Sequence, residues 1–149
     1  SQEQKRTISF KKAVLTTDFI AEGVAVADVN KDGKKDVLAG SHWFQAPGWK
    51  KMTLAEPKKF KTTEYGNAFL HFAADVNQDG WTDFIRVDFP GHATMWHENP
   101  AGKKRYWKQH LLYSSVGNES PSMYDVDNDG KDDFICNNSN EKNRFIPYY

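Results

Sequence analysis

A chain of 149 residues with one cysteine can form no internal disulfide, and Cys136, which falls in an expected strand, should be a small buried hydrophobe. Long apolar runs are missing as well. None approaches the roughly 18 residues a membrane-spanning helix requires. Net charge is absent, with 20 basic against 20 acidic residues, and no recognised nucleic-acid motif accompanies the lysines. Nor does the chain show a Ser-His-Asp order, a phosphate loop or a zinc spacing. Segments that could start a helix of useful length are lacking too. These absences leave an all-β protein whose chemistry must lie elsewhere.

What is present is one nine-residue pattern, written three times. It runs Asp28-Val-Asn30-Lys-Asp32-Gly33-Lys34-Lys-Asp36, then Asp75-Val-Asn77-Gln-Asp79-Gly80-Trp81-Thr-Asp83, then Asp125-Val-Asp127-Asn-Asp129-Gly130-Lys131-Asp-Asp133. Side-chain oxygens stand at positions 1, 3, 5 and 9, and glycine at 6 allows the chain to reverse sharply. The carbonyls of Lys34, Trp81 and Lys131 at position 7 would add a further oxygen. A hard cation such as Ca²⁺ takes about six to eight oxygen ligands, so three calcium sites are expected. An EF-hand is excluded, because position 12 holds Ala39, Arg86 and Cys136 in place of its glutamate. The flanks are short and rich in β-branched residues, so each loop joins two strands.

The first aspartates lie 47 and 50 residues apart, the period of a four-stranded propeller blade of about 40–50 residues. Strands before the loops are expected at 24–27, 72–74 and 122–124, and strands after them at 37–40, 84–88 and 134–137. A third strand carries Trp43 or Trp96 and ends at a proline turn, Pro47 or Pro100. A fourth opens on Trp49 or Trp107. The tryptophans recur at matching places, which points to packing between blades.

These residues resemble the FG-GAP or VCBS-type repeat family. The resemblance implies a β-propeller, commonly seven-bladed, with calcium between the first two strands of each blade, and it favours the secreted bacterial branch. The chain then divides into blade 1 at about residues 22–61, blade 2 at about 68–113 and an incomplete blade 3 at about 119–149. Segment 10–16 resembles a fourth strand and is expected to close another blade. About three blades cannot close a ring, so further blades or other chains are expected as partners. Calcium loops of this type suit a secreted or periplasmic setting.

In a blade of this topology the face opposite the calcium loops carries Glu22, His42, Asp88, His92, Asn118 and Glu119, a candidate ligand site at the propeller mouth. His71, in the first strand of blade 2, reads as a satisfied structural histidine. Half of the acidic residues sit at loop positions, so metal binding would leave the remaining surface basic. Clusters at Lys58-Lys59 and Lys103-Lys104-Arg105 could then meet anionic glycans. The functional expectation is a calcium-stabilised binding or scaffold module for a glycan or protein. The alternative is a polysaccharide lyase or hydrolase at the mouth, with no catalytic residue assigned.

Overall fold

The computed structural model describes residues 7–117 and 119–138. Ten strands form three antiparallel sheets, and no helix occurs among the described residues. The first sheet is β1 (Ala25–Ala27), β2 (Asp36–Ala39), β3 (His42–Gln45) and β4 (Lys50–Thr53), each paired with the next. The second repeats this order with β5 (Leu70–Ala74), β6 (Asp83–Val87), β7 (His92–Glu98) and β8 (Lys108–Val116). The third pairs β9 (Ser122–Tyr124) with β10 (Asp133–Ile135). Two four-stranded meanders of equal order, each with a turn-rich eight-residue loop between its first two strands, have the form of propeller blades.

Period-2 alternation gives every blade two faces. In blade 1, Ala25, Leu38 and Trp43 are in register on one face, and Val26, Val37 and Phe44 on the other. The first set packs against blade 2, where Phe84 is fully buried between the sheets and Trp107 closes one end. Removing a ring of that kind costs about 3–5 kcal/mol. The other face of blade 2 meets the third sheet through Phe72 and Phe134, edge to face at 5.9 Å, and through Val87, Val116 and Cys136. Cys136 is thus the buried hydrophobe expected of it, and burial pushes its thiol up. Main-chain bonds tie the sheets as well: Glu22 donates to Ala68 at 3.0 Å, and Trp107 to Leu54 at 2.8 Å.

Segment 10–16 forms no strand among the described residues; Leu15 packs against the Ile20, Ala39 and Phe44 cluster on the outer face of blade 1. Its expected role, as a strand closing another blade, requires a blade that the described residues do not include. The part of the expected blade 3 beyond residue 138, and Asn118, lie outside the described residues.

Candidate metal centres

All three loops share one geometry. Position 4, occupied by Lys31, Gln78 and Asn128, is left-handed with φ of 60°, 60° and 63°. Gly33, Gly80 and Gly130 follow at 80°, 83° and 89°, values that L side chains rarely adopt, which is why glycine recurs there. The first-position carboxylates hold the reversal. Asp28 accepts the N–H groups of Asp32 (3.1 Å) and Gly33 (2.8 Å), Asp75 those of Asp79 (3.0 Å) and Gly80 (2.7 Å), and Asp125 those of Asp129 (3.1 Å) and Gly130 (3.0 Å). Position 3 accepts from the position-5 amide, through Asn30, Asn77 and Asp127. Position 5 in turn accepts from Lys34, Trp81 and Lys131 at 2.8–2.9 Å. Each loop is therefore wound around its own carboxylates.

Position 9 does more than the sequence indicates. Asp36 and Asp83 are fully buried. One oxygen of each accepts the second loop residue, Val29 at 3.2 Å or Val76 at 3.0 Å. The other accepts an amide from the distant turn between the third and fourth strands, Ala46 at 2.9 Å or Asn99 at 2.7 Å. Asp133 makes the first of these bonds, to Val126 at 2.9 Å. In the two complete blades the ninth residue thus fastens the loop to the far hairpin of its own blade.

The donor chemistry fits a hard cation. A carboxylate oxygen has two lone pairs, so accepting one amide leaves a site for a metal. In the third loop, oxygens of Asp125, Asp127 and Asp133 lie within 4.8 Å of one another. Asp129 there leans toward the Lys131 ammonium at 3.8 Å. Burial, reinforced by the neighbouring loop carboxylates, pushes Asp83 up to about 6 and raises Asp36 as well, against the opposing pull of their amide donors. At Asp28 desolvation acts in the same upward direction, but four backbone amides outweigh it and hold the carboxyl low. A cation among these oxygens would relieve the repulsion around position 9 and meet a ready anion at position 1. The residues to hold it are Asp28, Asn30, Asp32, Lys34 and Asp36 in the first loop, with their counterparts in the other two.

The residues expected at the opposite mouth are placed less uniformly. Asp88 and His92 come together, Oδ1 to Nδ1 at 3.7 Å, and the histidine is largely exposed. Glu22 accepts the Gly66 N–H at 2.9 Å and so braces a connection between blades. His42 is a strand residue of β3, 6% exposed, in place of the connection expected, and it shares the face of Phe44. Glu119 is exposed. No hydrogen bond or ion pair among the described residues links Glu22, His42 or Glu119 to Asp88 and His92.

His71 is buried with the Gly23 backbone beside its ring but forms no well-aligned hydrogen bond to it, and neither ring nitrogen of His97 has a hydrogen-bond partner among the described residues. The two rings flank Phe84 at 4.9 and 5.9 Å, and burial lowers both to about 4, so they stand neutral in the interface between blades.

Asn99 escaped notice in the sequence. Its side-chain amide donates to Val29 at 2.8 Å and Thr82 at 2.9 Å, and its oxygen accepts Ala101 at 3.1 Å. One side chain therefore joins the first nine-residue repeat to blade 2. The only signal for it was an asparagine immediately before the proline turn.

Residues 75–136 match the family model described as an FG-GAP-like repeat, a span from the first aspartate of the second loop to the strand after the third. No curated protein and no solved structure matches the chain.

Proposed function

We propose that this chain with its FG-GAP-like repeat is a calcium-stabilised, propeller-type binding or scaffold module, secreted or periplasmic, completed by further blades or by other chains. The observation that carries the reading is the threefold loop, in which oxygens at positions 1, 3, 5 and 9 surround a left-handed reversal on strands of adjacent blades. Calcium supplies structural charge neutralisation there. Its effect is to hold the first hairpin of each blade at a fixed angle, so that surfaces between blades are rigid enough to bind. Millimolar calcium outside the cytoplasm suits modules of about 10⁻⁴–10⁻³ M affinity, which supports the extracytoplasmic setting.

Calorimetry of the chain in 2 mM calcium and in excess chelator, with bound metal counted by elemental analysis, tests this. At about 2 mM ion and a dissociation constant of ~0.1 mM, each site contributes about 1.8 kcal/mol. A melting temperature unaffected by chelator, with no calcium carried through dialysis, would refute the reading.

A further inference from the structure

The two complete blades are not identical: blade 2 is longer on both sides of its third strand, and the turn after that strand carries most of the added charge. Asp36 matches Asp83 as the ninth loop residue, Gln45 matches Glu98 as the residue before the turn amide that each aspartate accepts, and Lys50 matches Lys108 as the ladder partner of each. From Gln45 to Lys50 the turn is short, whereas from Glu98 to Lys108 it is five residues longer. Those extra residues include Lys103, Lys104, Arg105 and Tyr106. Repeated features of a propeller explain the scaffold, while insertions in single repeats fall on loops and are often the binding face.

The longer turn bends back over blade 1. Together with that blade it lines an open groove of about 580 Å³, within the ~300–1,000 Å³ range of small-molecule sites. Trp43 and Met52 of blade 1 and Trp107 of blade 2 give it an apolar lining, and Tyr106 stands half-exposed within it. Asn30 and Thr53 supply neutral polar groups. Lys103, Lys104 and Arg105 supply the charge, and no acidic residue lines the groove in a chain that has as many acids as bases. Neither lysine has an ion-pair partner among the described residues, and Arg105 reaches Glu98 only at 3.8 Å.

We infer that this groove binds a saccharide bearing carboxylate or sulfate groups. The proposal rests on the reading of the chain as a binding module and gives that module a site and a ligand class. Flat C–H faces of a sugar ring stack on exposed aromatic side chains, hydroxyls meet the amide and hydroxyl groups, and the anionic substituent meets the unpaired ammonium groups. The cations that line the groove are three consecutive residues, Lys103 to Arg105, not a series spread over the segments that line it. That favours a ligand with one charged group per ring over a polyphosphate backbone, which is followed by extended basic grooves. The site also differs from the one expected at the opposite mouth, since it borders the first metal loop through Val29 and Asn30.

The test is titration of the 149-residue chain in calcium buffer, read by tryptophan fluorescence and calorimetry. The probes are trigalacturonate and a chondroitin sulfate tetrasaccharide, with a neutral galactose trimer, inorganic sulfate and oligothymidylate as comparators. At least one of the two anionic saccharides should bind and change the tryptophan emission. Lys103→Glu/Lys104→Glu and Tyr106→Ala should each weaken that binding at least tenfold, while Lys11→Glu/Lys12→Glu, an equal charge change outside the groove, should leave it as it was. Binding by neither saccharide, binding indifferent to the groove variants, or equal affinity for sulfate or oligothymidylate would overturn the proposal. Chelator melting curves on the same samples report the calcium reading separately, so its failure is distinguishable from failure of the groove.

Discussion

Asp83 illustrates how one side chain carries two tasks. It is the ninth residue of the second repeat by sequence, a proposed metal ligand, and, by position, the buried acceptor that binds Val76 and Asn99 from two parts of the blade. Asp83→Ala should therefore cost stability even in chelator, because one buried and one partly buried amide lose their acceptor, at about 1–3 kcal/mol for a buried group. We expect roughly 2–4 kcal/mol by denaturant titration in chelator, together with loss of one bound calcium when metal is supplied. A variant as stable as the parent in chelator would reduce Asp83 to a ligand alone. His97 permits a second residue-level prediction. Blade 1 has Phe44 at the matching position, so His97→Phe should be accommodated by the fold. The folded imidazole, lowered by burial from its ordinary 6.5 to about 4, refuses a proton that the unfolded chain takes up. Its contribution is therefore intact above pH 6.5 and is lost as pH falls toward 4, at about 1.4 kcal/mol per pH unit. Between those limits the parent should lose up to about 3 kcal/mol more than His97→Phe. Parallel pH–stability curves for the two proteins would show that His97 titrates normally in the fold.

At the scale of the hairpin, the three reversals were legible because side-chain oxygens recur at alternate positions and a glycine sits at the left-handed turn. The strands around them were legible from β-branched flanks, and the observed bounds differ from the expected ones by a few residues at most ends. What stayed hidden were contacts between segments distant in sequence. The ninth aspartate reaches a turn 10 or 16 residues away, and Asn99 reaches Val29 across 70 residues, with no local pattern to announce either. Segment 10–16, expected to close another blade, has no such blade beside it among the described residues and forms no strand there. The loops themselves differ in charge. The third offers carboxylates at all four side-chain positions, where the first two have asparagine at position 3. It should accordingly retain calcium to the lowest free concentration as chelator is added. Exchanging the third-position ligand tests the ranking: Asn30→Asp should tighten the first loop, and Asp127→Asn should loosen the third, as read by metal counts against free calcium. Equal affinity of all three loops, unmoved by these exchanges, would mean that ligand charge does not rank them.

For the whole molecule the governing fact is which faces the described residues leave uncovered. Blade 2 has neighbours on both faces, blade 1 has one, and its outer side is partly covered by the segment around Leu15. Val24 and Val26 of the first blade remain more than half exposed, and Val14, beside Val24, is more exposed still. Apolar side chains grouped in this way favour association. At the blade edge the opposite device operates: β4 carries Lys50 and Lys51 outward, and edge lysines discourage further strand pairing. Association should therefore proceed face to face through blade 1, in the manner that one propeller blade meets the next. Light scattering on residues 1–149 should show species heavier than 17.1 kDa, and Val24→Asp/Val26→Asp should shift them toward the monomer. Lys50→Ala/Lys51→Ala should add edge pairing instead, seen as slower, irreversible growth. A compact monomer of the parent chain at micromolar concentration would mean that the exposed valines are tolerated as free surface, and that completion by other blades is not what this face requires.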